Sequence, residues 1–310
     1  MKAITIHRFG GPEVLHYEET PTPTIAPGEV LVKVQAIGVN PVDWKTRAGH
    51  GVRPEEERFP LILGWDISGV VAASAAPDFQ PGAEVFGMVR FPAFGAAYAE
   101  YVAAPAAHLA HKPPNISHAE AAATPLAALT AWQALFEAGN LQPGQRVLIP
   151  GAAGGVGHLA VQLAKWQGAT VIGTASAHNR AYLESLAVDQ VADYTQPGFA
   201  EAIAPVDLVF DTVGGATTAQ LYRFLKPGGA LVSILHQADP TAAAAVGATA
   251  TNILVRPVAE HLAAIATLLA TGRLKTVIAA VFPLHEAHKA HELSESRHAR
   301  GKIVLQPTHN

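Results

Sequence analysis

The run Val147-Leu148-Ile149-Pro150-Gly151-Ala152-Ala153-Gly154-Gly155-Val156-Gly157 has the spacing of a phosphate-binding turn. Set against G-x-G-x-x-G it reads Ala152-x-Gly154-x-x-Gly157, with alanine at the first place. The chemistry is steric and electrostatic. A turn without side chains lets backbone approach a pyrophosphate, and the N–H groups opening the next helix donate to it. Gly157 allows the helix to pack closely on the strand. The same glycines could form a purely structural turn. The apolar strand before them and the helical pattern after them are the context that a dinucleotide site requires.

The next strand bears on which dinucleotide. A site for NAD usually carries Asp or Glu about 20 residues on, where it bonds the ribose 2′-hydroxyl. Here the strand runs out through Gly173-Thr174-Ala175-Ser176-Ala177-His178-Asn179-Arg180, without a carboxylate. A hydroxyl, an imidazole, an amide and a guanidinium would donate to a 2′-phosphate, which a carboxylate would repel. NADPH is therefore the expected cofactor. Ser176 or Asn179 could instead cap the following helix, and the two roles are compatible.

Two other patterns invite chemistry. Tyr222-Arg223-Phe224-Leu225-Lys226 matches Y-x-x-x-K, but Pro227-Gly228-Gly229 ends the helix beside it, and it lies too near the glycine turn for a short-chain dehydrogenase pair. His285, His288 and His291 fall at three-residue steps on a predicted helix and are expected on a solvated face, as are His7, His16 and His309 near the chain ends. No metal site is expected.

These groups need a frame. Residues 1–110 read as short strands punctuated by Gly11-Pro12, Pro27-Gly28 and Pro81-Gly82, among them Glu29–Val34, Ile67–Ala73 and Glu100–Ala104. Ser117-His118-Ala119-Glu120 is a capping-box pattern ahead of an alanine-rich helical stretch broken at Pro125. From Arg146 the chain alternates: strand 146–149, helix 157–167, strand 169–174, helix 179–187, strands 191–194 and 206–212, helix 216–226, strand 230–235. That rhythm predicts a doubly wound parallel sheet. A helix over 257–271, with Pro257 at its start and Gly272 past its end, precedes a strand over 276–282, a helix near 285–296 and a strand over 302–305.

Composition narrows the classes. The 310 residues are 49% hydrophobic and 15% charged, against about 25% charged for an average soluble chain, which argues against disorder. Net charge is −4, so no basic surplus exists for nucleic acid. Cysteine is absent, which removes disulfides, thiol nucleophiles and cysteine metal sites. The uncharged stretches 121–136 and 240–255 have 16 residues each, short of the ~20 that a membrane span needs. A cytoplasmic protein without membrane association is expected.

Several segments together resemble the medium-chain dehydrogenase/reductase superfamily, in its zinc-free quinone oxidoreductase and alkenal reductase branch. They are Ala36-Ile37-Gly38-Val39-Asn40-Pro41-Val42-Asp43-Trp44-Lys45, Leu63-Gly64-Trp65-Asp66-Ile67-Ser68-Gly69, Ala97-Tyr98-Ala99-Glu100-Tyr101-Val102, Ala128-Leu129-Thr130-Ala131-Trp132, the glycine turn, Asp211-Thr212-Val213-Gly214-Gly215 and Ala299-Arg300-Gly301-Lys302-Ile303-Val304-Leu305. The resemblance implies an α/β fold. A GroES-like β-barrel catalytic domain over 1–122, completed by 272–310, would flank a Rossmann domain over 123–271. It also implies an active site in the cleft between them, and a homodimer. Zinc-dependent relatives carry His then Glu where Trp65-Asp66 stands, and a four-cysteine lobe that this chain lacks. Carried over by residue, the resemblance puts Gly155 and Val156 at the pyrophosphate, between Gly154 and Gly157 of the cofactor-binding turn. It puts Ser176, His178 and Asn179 at the 2′-phosphate and Tyr194 beside the adenosine. Thr130 and Lys45 fall toward the nicotinamide, Leu235 and His236 in the loop after the fifth strand, and Lys302 in the segment approaching the cofactor. Relatives usually have Arg or Lys at position 178; Arg180 is the candidate substitute.

The implied reaction is hydride transfer to a quinone or an α,β-unsaturated carbonyl. Without zinc, hydrogen-bond donors must meet the charge developing on oxygen. The candidates are Asn40, Lys45, Tyr98 and His236, with Asn40, Lys45 and Tyr98 foremost; Asp43 is expected to hold backbone or Lys45. Trp44, Phe59, Trp65, Phe91, Phe94 and Trp132 are candidate walls for an apolar substrate. An enoyl-thioester reductase and a non-catalytic NADPH-binding protein are the alternatives.

Overall fold

A computed structural model describes residues 1–52 and 59–308, so His309 lies outside the described residues. The chain divides into two compact units, Met1–Leu129 with Arg256–Asn310, and Thr130–Val255. The boundaries fall later than 122 and earlier than 271, because the helix Ala259–Ala270 packs on the strand Leu109–His111 of the first unit. Asn115 Nδ2 also donates to the carbonyls of Leu269 and Ala270 at 3.2 and 3.3 Å.

The first unit is organised by one strand, Glu29–Val39. It alternates half-buried and buried residues up to Ala36 and is buried throughout from there. It pairs antiparallel with Asp66–Ser74, Tyr101–Pro105 and Lys302–Gln306, within a seven-stranded sheet. A three-stranded sheet of Lys2–Ile6, His16–Glu19 and Leu61–Ile62 joins it through the bridge Ala3↔Ala99. The GroES-like unit thus takes the form of two sheets whose strand pairings among the described residues follow an open path. Register sets the chemistry: Gly38 lies opposite both Asp66 and Val304, and Val39 opposite Ile303. The end of the central strand therefore meets Asp66 on one side and Lys302 on the other.

That strand ends at Asn40 and turns directly into the helix Pro41–Arg47, whose first position is held by proline. Proline suits that place because its missing N–H is one of the helix's unpaired donors anyway. This helix was not among the sequence expectations.

The second unit is a six-stranded parallel sheet in the order Gln190–Asp193, Thr170–Ala175, Arg146–Pro150, Val206–Asp211, Leu225–Ser233, Thr249–Asn252. This is the doubly wound order, with its switch point between Arg146–Pro150 and Val206–Asp211. The expected strands are present with ends shifted by a few residues. Lys226 departs from expectation: it lies inside a strand, because the helix stops at Leu221 and one 3₁₀ turn, Tyr222–Phe224, completes the descent. Pro257 stands outside its helix, which is preceded by Val258; Gly272, at φ +68°, does follow the helix end. The helix Pro240–Ala245 and strand Thr249–Asn252 were hidden in the uncharged 240–255 stretch. No helix among the described residues is long and apolar enough to cross a membrane.

Gly157 begins the helix Gly157–Trp166, and a methyl group there would meet the Gly151 carbonyl at 2.3 Å and Ala152 Cα at 2.8 Å. Both are backbone atoms that cannot rotate away. Gly157→Ala should therefore cost about 1–3 kcal/mol, the range for overpacking. Gly154→Ala, which would meet only the Gly151 carbonyl at 3.2 Å, should cost less. Urea denaturation of both variants checks the order.

Candidate functional site

In the second unit the glycine turn leaves the strand Arg146–Pro150 at Gly151, which adopts φ +65°. Gly154, Gly155 and Val156 are half-buried and Gly157 is buried under the turn. His158, fully buried on the first helical turn, is held through Nδ1 to the Gly154 carbonyl at 2.9 Å. Across the switch point, Thr212 Oγ1 donates to the Pro150 carbonyl at 2.6 Å. The carboxylate of buried Asp211 accepts from the N–H groups of Val213 and Gly214, both at 3.0 Å, and from Thr218 Oγ1 at 2.6 Å. The Asp211–Gly215 segment is thus a loop shaped by its own aspartate.

The strand Thr170–Ala175 delivers Ser176, His178, Asn179 and Arg180 together at its carboxyl end. Neither Ser176 nor Asn179 caps a helix through its side chain, so the capping alternative does not account for them. Asn179 Nδ2 instead reaches Ser176 Oγ at 3.5 Å. Arg180 is half exposed and lies 3.9 Å from Glu184, a weak exposed pair. The carboxylate opposite in register, Asp193, is turned to Thr195, accepting from its Oγ1 at 2.7 Å and its N–H at 3.0 Å. Tyr194 is exposed, Leu235 half-buried, and His236 exposed at φ +56°, beyond the strand Leu225–Ser233. Thr130 is buried on the helix Pro125–Trp132.

In the first unit, the end of the central strand gathers a buried polar network. Asn40 Nδ2 donates to Asp66 Oδ2 at 2.9 Å, and Asn40 Oδ1 accepts from Lys302 Nζ. Lys302 Nζ also donates to the Val39 carbonyl at 2.9 Å. Asp66 Oδ1 accepts the Leu126 N–H at 2.9 Å, near the start of the helix Pro125–Trp132. Asp43, at the third helical position, accepts the Asn40 N–H at 2.8 Å and the Tyr98 hydroxyl at 2.8 Å, both on Oδ2. Tyr98 OH lies 3.0 Å from His291 Nε2, and His291 Nδ1 lies 3.2 Å from Arg47 Nη1. Arg47 Nη2 reaches Glu295 at 2.6 Å and its Nε donates to the Gly10 carbonyl at 3.1 Å.

Burial governs the protonation of these groups. It pushes Asp43 up to about 7, against the Asn40 N–H, Tyr98 and Lys302, which favour the anion. It pushes Asp66 up to about 6, opposed by Lys302 and Asn40. The Lys302 amine is lowered by burial, against the pull of Asp66 and Asp43. His291 is driven down to about 3 by burial and by Arg47. Lys45 differs from all of them. It is half-buried, its ammonium stands 5.7 Å from the Trp44 ring, and it has no carboxylate partner among the described residues. Burial, then Arg297, lowers its pKa.

This geometry corrects several expectations. Tyr98 and Asn40 are buried with their polar atoms committed to the network, so neither presents a donor to a substrate. Gly64, at φ +86°, makes room for the Tyr98 ring, which a methyl group there would strike at 2.3 Å. Lys302 is turned into the protein rather than toward a cofactor. Asp43 holds backbone and Tyr98, not Lys45. His291 is not on a solvated face: it is fully buried, while His285 is exposed on a 3₁₀ turn. Trp65 and Phe91 are core, packed edge to face at 5.4 Å, with the Trp65 indole N–H on the Ala93 carbonyl at 2.7 Å. Phe94 packs on the apolar core around Ile4, Leu63 and Tyr98, Phe59 stands against Phe9, and Trp132 packs on Phe136 and Trp166. Tyr222 accepts the Asp239 N–H while Lys226 pairs with Asp207, so the Y-x-x-x-K residues do not act together. Among the described residues no cluster of three His, Cys, Asp or Glu could hold a metal ion.

Comparison with known proteins agrees with this architecture. Residues 26–114 match the alcohol dehydrogenase GroES-like domain model and residues 186–305 a zinc-binding dehydrogenase model. A chloroplastic quinone-oxidoreductase homolog of Spinacia oleracea is 35% identical, covering 96% of this chain and 95% of its own. A 2-methylene-furan-3-one reductase of Solanum lycopersicum is 34% identical over 99% of this chain and 79% of its own. The solved structure of the quinone oxidoreductase from Coxiella burnetii superposes with a TM-score of 0.93 at 39% identity, covering 99% of each chain.

His291 supplies a test of the network. A histidine whose folded pKa is depressed to about 3 takes up no proton on folding, whereas the unfolded chain is protonated below about 6.5. Its presence therefore lowers stability progressively as pH falls from 6.5 toward 3, by up to about 1.4 kcal/mol per pH unit. His291→Gln lacks this term. The stability difference between wild type and His291→Gln should shrink or reverse as pH falls from 7 to 4, read as Tm by calorimetry; a pH-independent difference contradicts the assignment.

Proposed function

The chain belongs to the medium-chain dehydrogenase/reductase superfamily, in its quinone oxidoreductase branch, and from that premise we propose that it reduces quinones and α,β-unsaturated carbonyls with NADPH as preferred donor. An NAD(P)H-dependent quinone or enone oxidoreductase is the coarser statement, and the curated relatives carry it. The preference for NADPH rests on one observation. The end of the second parallel strand offers Ser176, His178, Asn179 and Arg180, and the one carboxylate opposite it, Asp193, is occupied by Thr195. A hydroxyl, an imidazole, an amide and a guanidinium at a strand end that carries no carboxylate of its own favour a phosphate there.

The residues fit a nicotinamide dinucleotide: the turn from Gly151 to Gly157 supplies a side-chain-poor loop opening a helix, at the carboxyl end of a parallel strand. When bound, that cofactor supplies the hydride. The chain's own task is to meet the negative charge that then grows on the acceptor oxygen. Lys45 suits this work, since its ammonium is half-buried, lies against an indole and is not neutralised by any carboxylate among the described residues. With Asn40 and Tyr98 committed elsewhere, neither of them supplies the proton.

Stopped-flow oxidation of NADPH against a quinone, an enone and an enoyl thioester tests the reading. Rapid turnover of the first two is expected. Oxidation only by the thioester would favour the alternative substrate class, and tight binding without oxidation would point to a non-catalytic protein. Arg180→Ala should raise the Kd for NADPH about tenfold, the scale of one lost charge-assisted bond, while sparing NADH. Equal weakening of both cofactors in fluorescence titration would remove Arg180 from the 2′-phosphate site.

A further inference from the structure

The buried chain that joins Arg47 to Asp43 has a direction. A guanidinium can only donate, so His291 Nδ1 must accept from Arg47 Nη1 across 3.2 Å. The imidazole proton then sits on Nε2 and faces Tyr98 OH at 3.0 Å. With His291 donating to its oxygen, Tyr98 directs its own proton to Asp43 Oδ2 at 2.8 Å. The order is Arg47, His291, Tyr98, Asp43, each donating to the next. A neutral imidazole fits this place only as the Nε2–H tautomer.

Both ends of the chain lie on one short helix. Asp43 and Arg47 stand four residues apart within Pro41–Arg47, hence on one face, and both are buried. Arg47 is further tied to Gly10 and to Glu295, and Asp43 to the Asn40 N–H. Lys45, two residues from each, projects from the other face. Its ammonium has no carboxylate to fix it among the described residues, so the helix backbone sets where that charge stands.

We propose that His291 is a positioning residue for the reduction: as the Nε2–H tautomer it links Arg47 through Tyr98 to Asp43, and so orients the helix that carries Lys45 toward the acceptor oxygen. This rests on the reading of Lys45 given above. The aliphatic side chain of leucine would fill the space but break the polarity, whereas glutamine can accept from Arg47 and donate to Tyr98.

Two measurements test it on the full chain. With ¹⁵N-histidine labelling, the imidazole signal lost in His291→Gln should show the Nε2–H pattern and no titration between pH 5 and 9. An Nδ1–H pattern, or a signal that titrates in that range, overturns the proposal. In steady-state assays, His291→Leu should lower kcat about 10- to 100-fold, the scale of a small misplacement of a reacting group, with KM for NADPH little changed. His291→Gln should restore most of it. If His291→Leu does not fold by circular dichroism, Tyr98→Phe breaks the same chain one link on and should give the same loss. Wild-type kcat in a folded His291→Leu or Tyr98→Phe variant overturns the proposal. Lys45→Ala separates it from its premise: an inactive Lys45→Ala beside fully active chain variants leaves Lys45 in place and removes His291, whereas an active Lys45→Ala removes both.

Discussion

Charge burial is the constraint on which the first unit depends. Asp43, Asp66, Arg47 and Lys302 are each almost wholly out of solvent, and a buried charge without a partner costs several kcal/mol. Each therefore dictates a piece of backbone. Lys302 brings the last strand back to the central one, Asp66 takes the N–H of Leu126, Asp43 closes the helix start at Asn40, and Arg47 holds the C-terminal helix through His291 and Glu295. The return of residues 256–310 to the N-terminal unit is thus an electrostatic as well as an apolar requirement. Removing any one partner would strand another charge rather than merely lose a contact.

The second unit is built on a different principle. Its sheet is apolar through the central strands, and close approach comes from what is missing at Gly157 rather than from a polar anchor. Polar groups fasten both ends of the strands: Asp207 takes Lys226 and the Arg146 N–H at the amino ends, and a second set gathers at the carboxyl ends. There Thr212 and Asp211 fasten the loops at the switch point, and the exit of Thr170–Ala175 presents its donors. A site for an anionic ligand follows from this placement, since a parallel sheet leaves its ligand positions outside those ends.

The second unit was largely legible in the sequence because its information is local. Apolar strands, a glycine turn and helix signals all lie within short windows, and the strand order followed from the fold class. The network in the first unit was not legible, because its members meet across the sheet. Asp43 and Tyr98 are 55 residues apart, and Arg47 and His291 are 244. Nothing near Tyr98 shows that its hydroxyl is already occupied. For His291 a signal did exist. Leu284, Ala287 and His291 follow i, i+3, i+7 spacing, which places the histidine on the buried face of its helix. Counting three-residue steps among histidines alone pointed to solvent, whereas counting them with the apolar residues points inward.

Loss of Asn40 and Tyr98 as substrate donors sharpens the chemistry. Of the two cations on the helix Pro41–Arg47, Arg47 is neutralised inside the protein, and Lys45 has an indole beside it and no anion among the described residues. A single partly desolvated charge can stabilise an oxyanion, but it offers neither a Lewis acid nor a pair of converging donors. Such a site suits an acceptor that already spreads its charge, as an enolate or a hydroquinone anion does. A simple ketone would place full alkoxide charge on one oxygen and would need more than Lys45 supplies. The burial that commits Arg47 to the fold thus leaves Lys45 as the cation on which the proposed reduction of conjugated carbonyls and quinones relies.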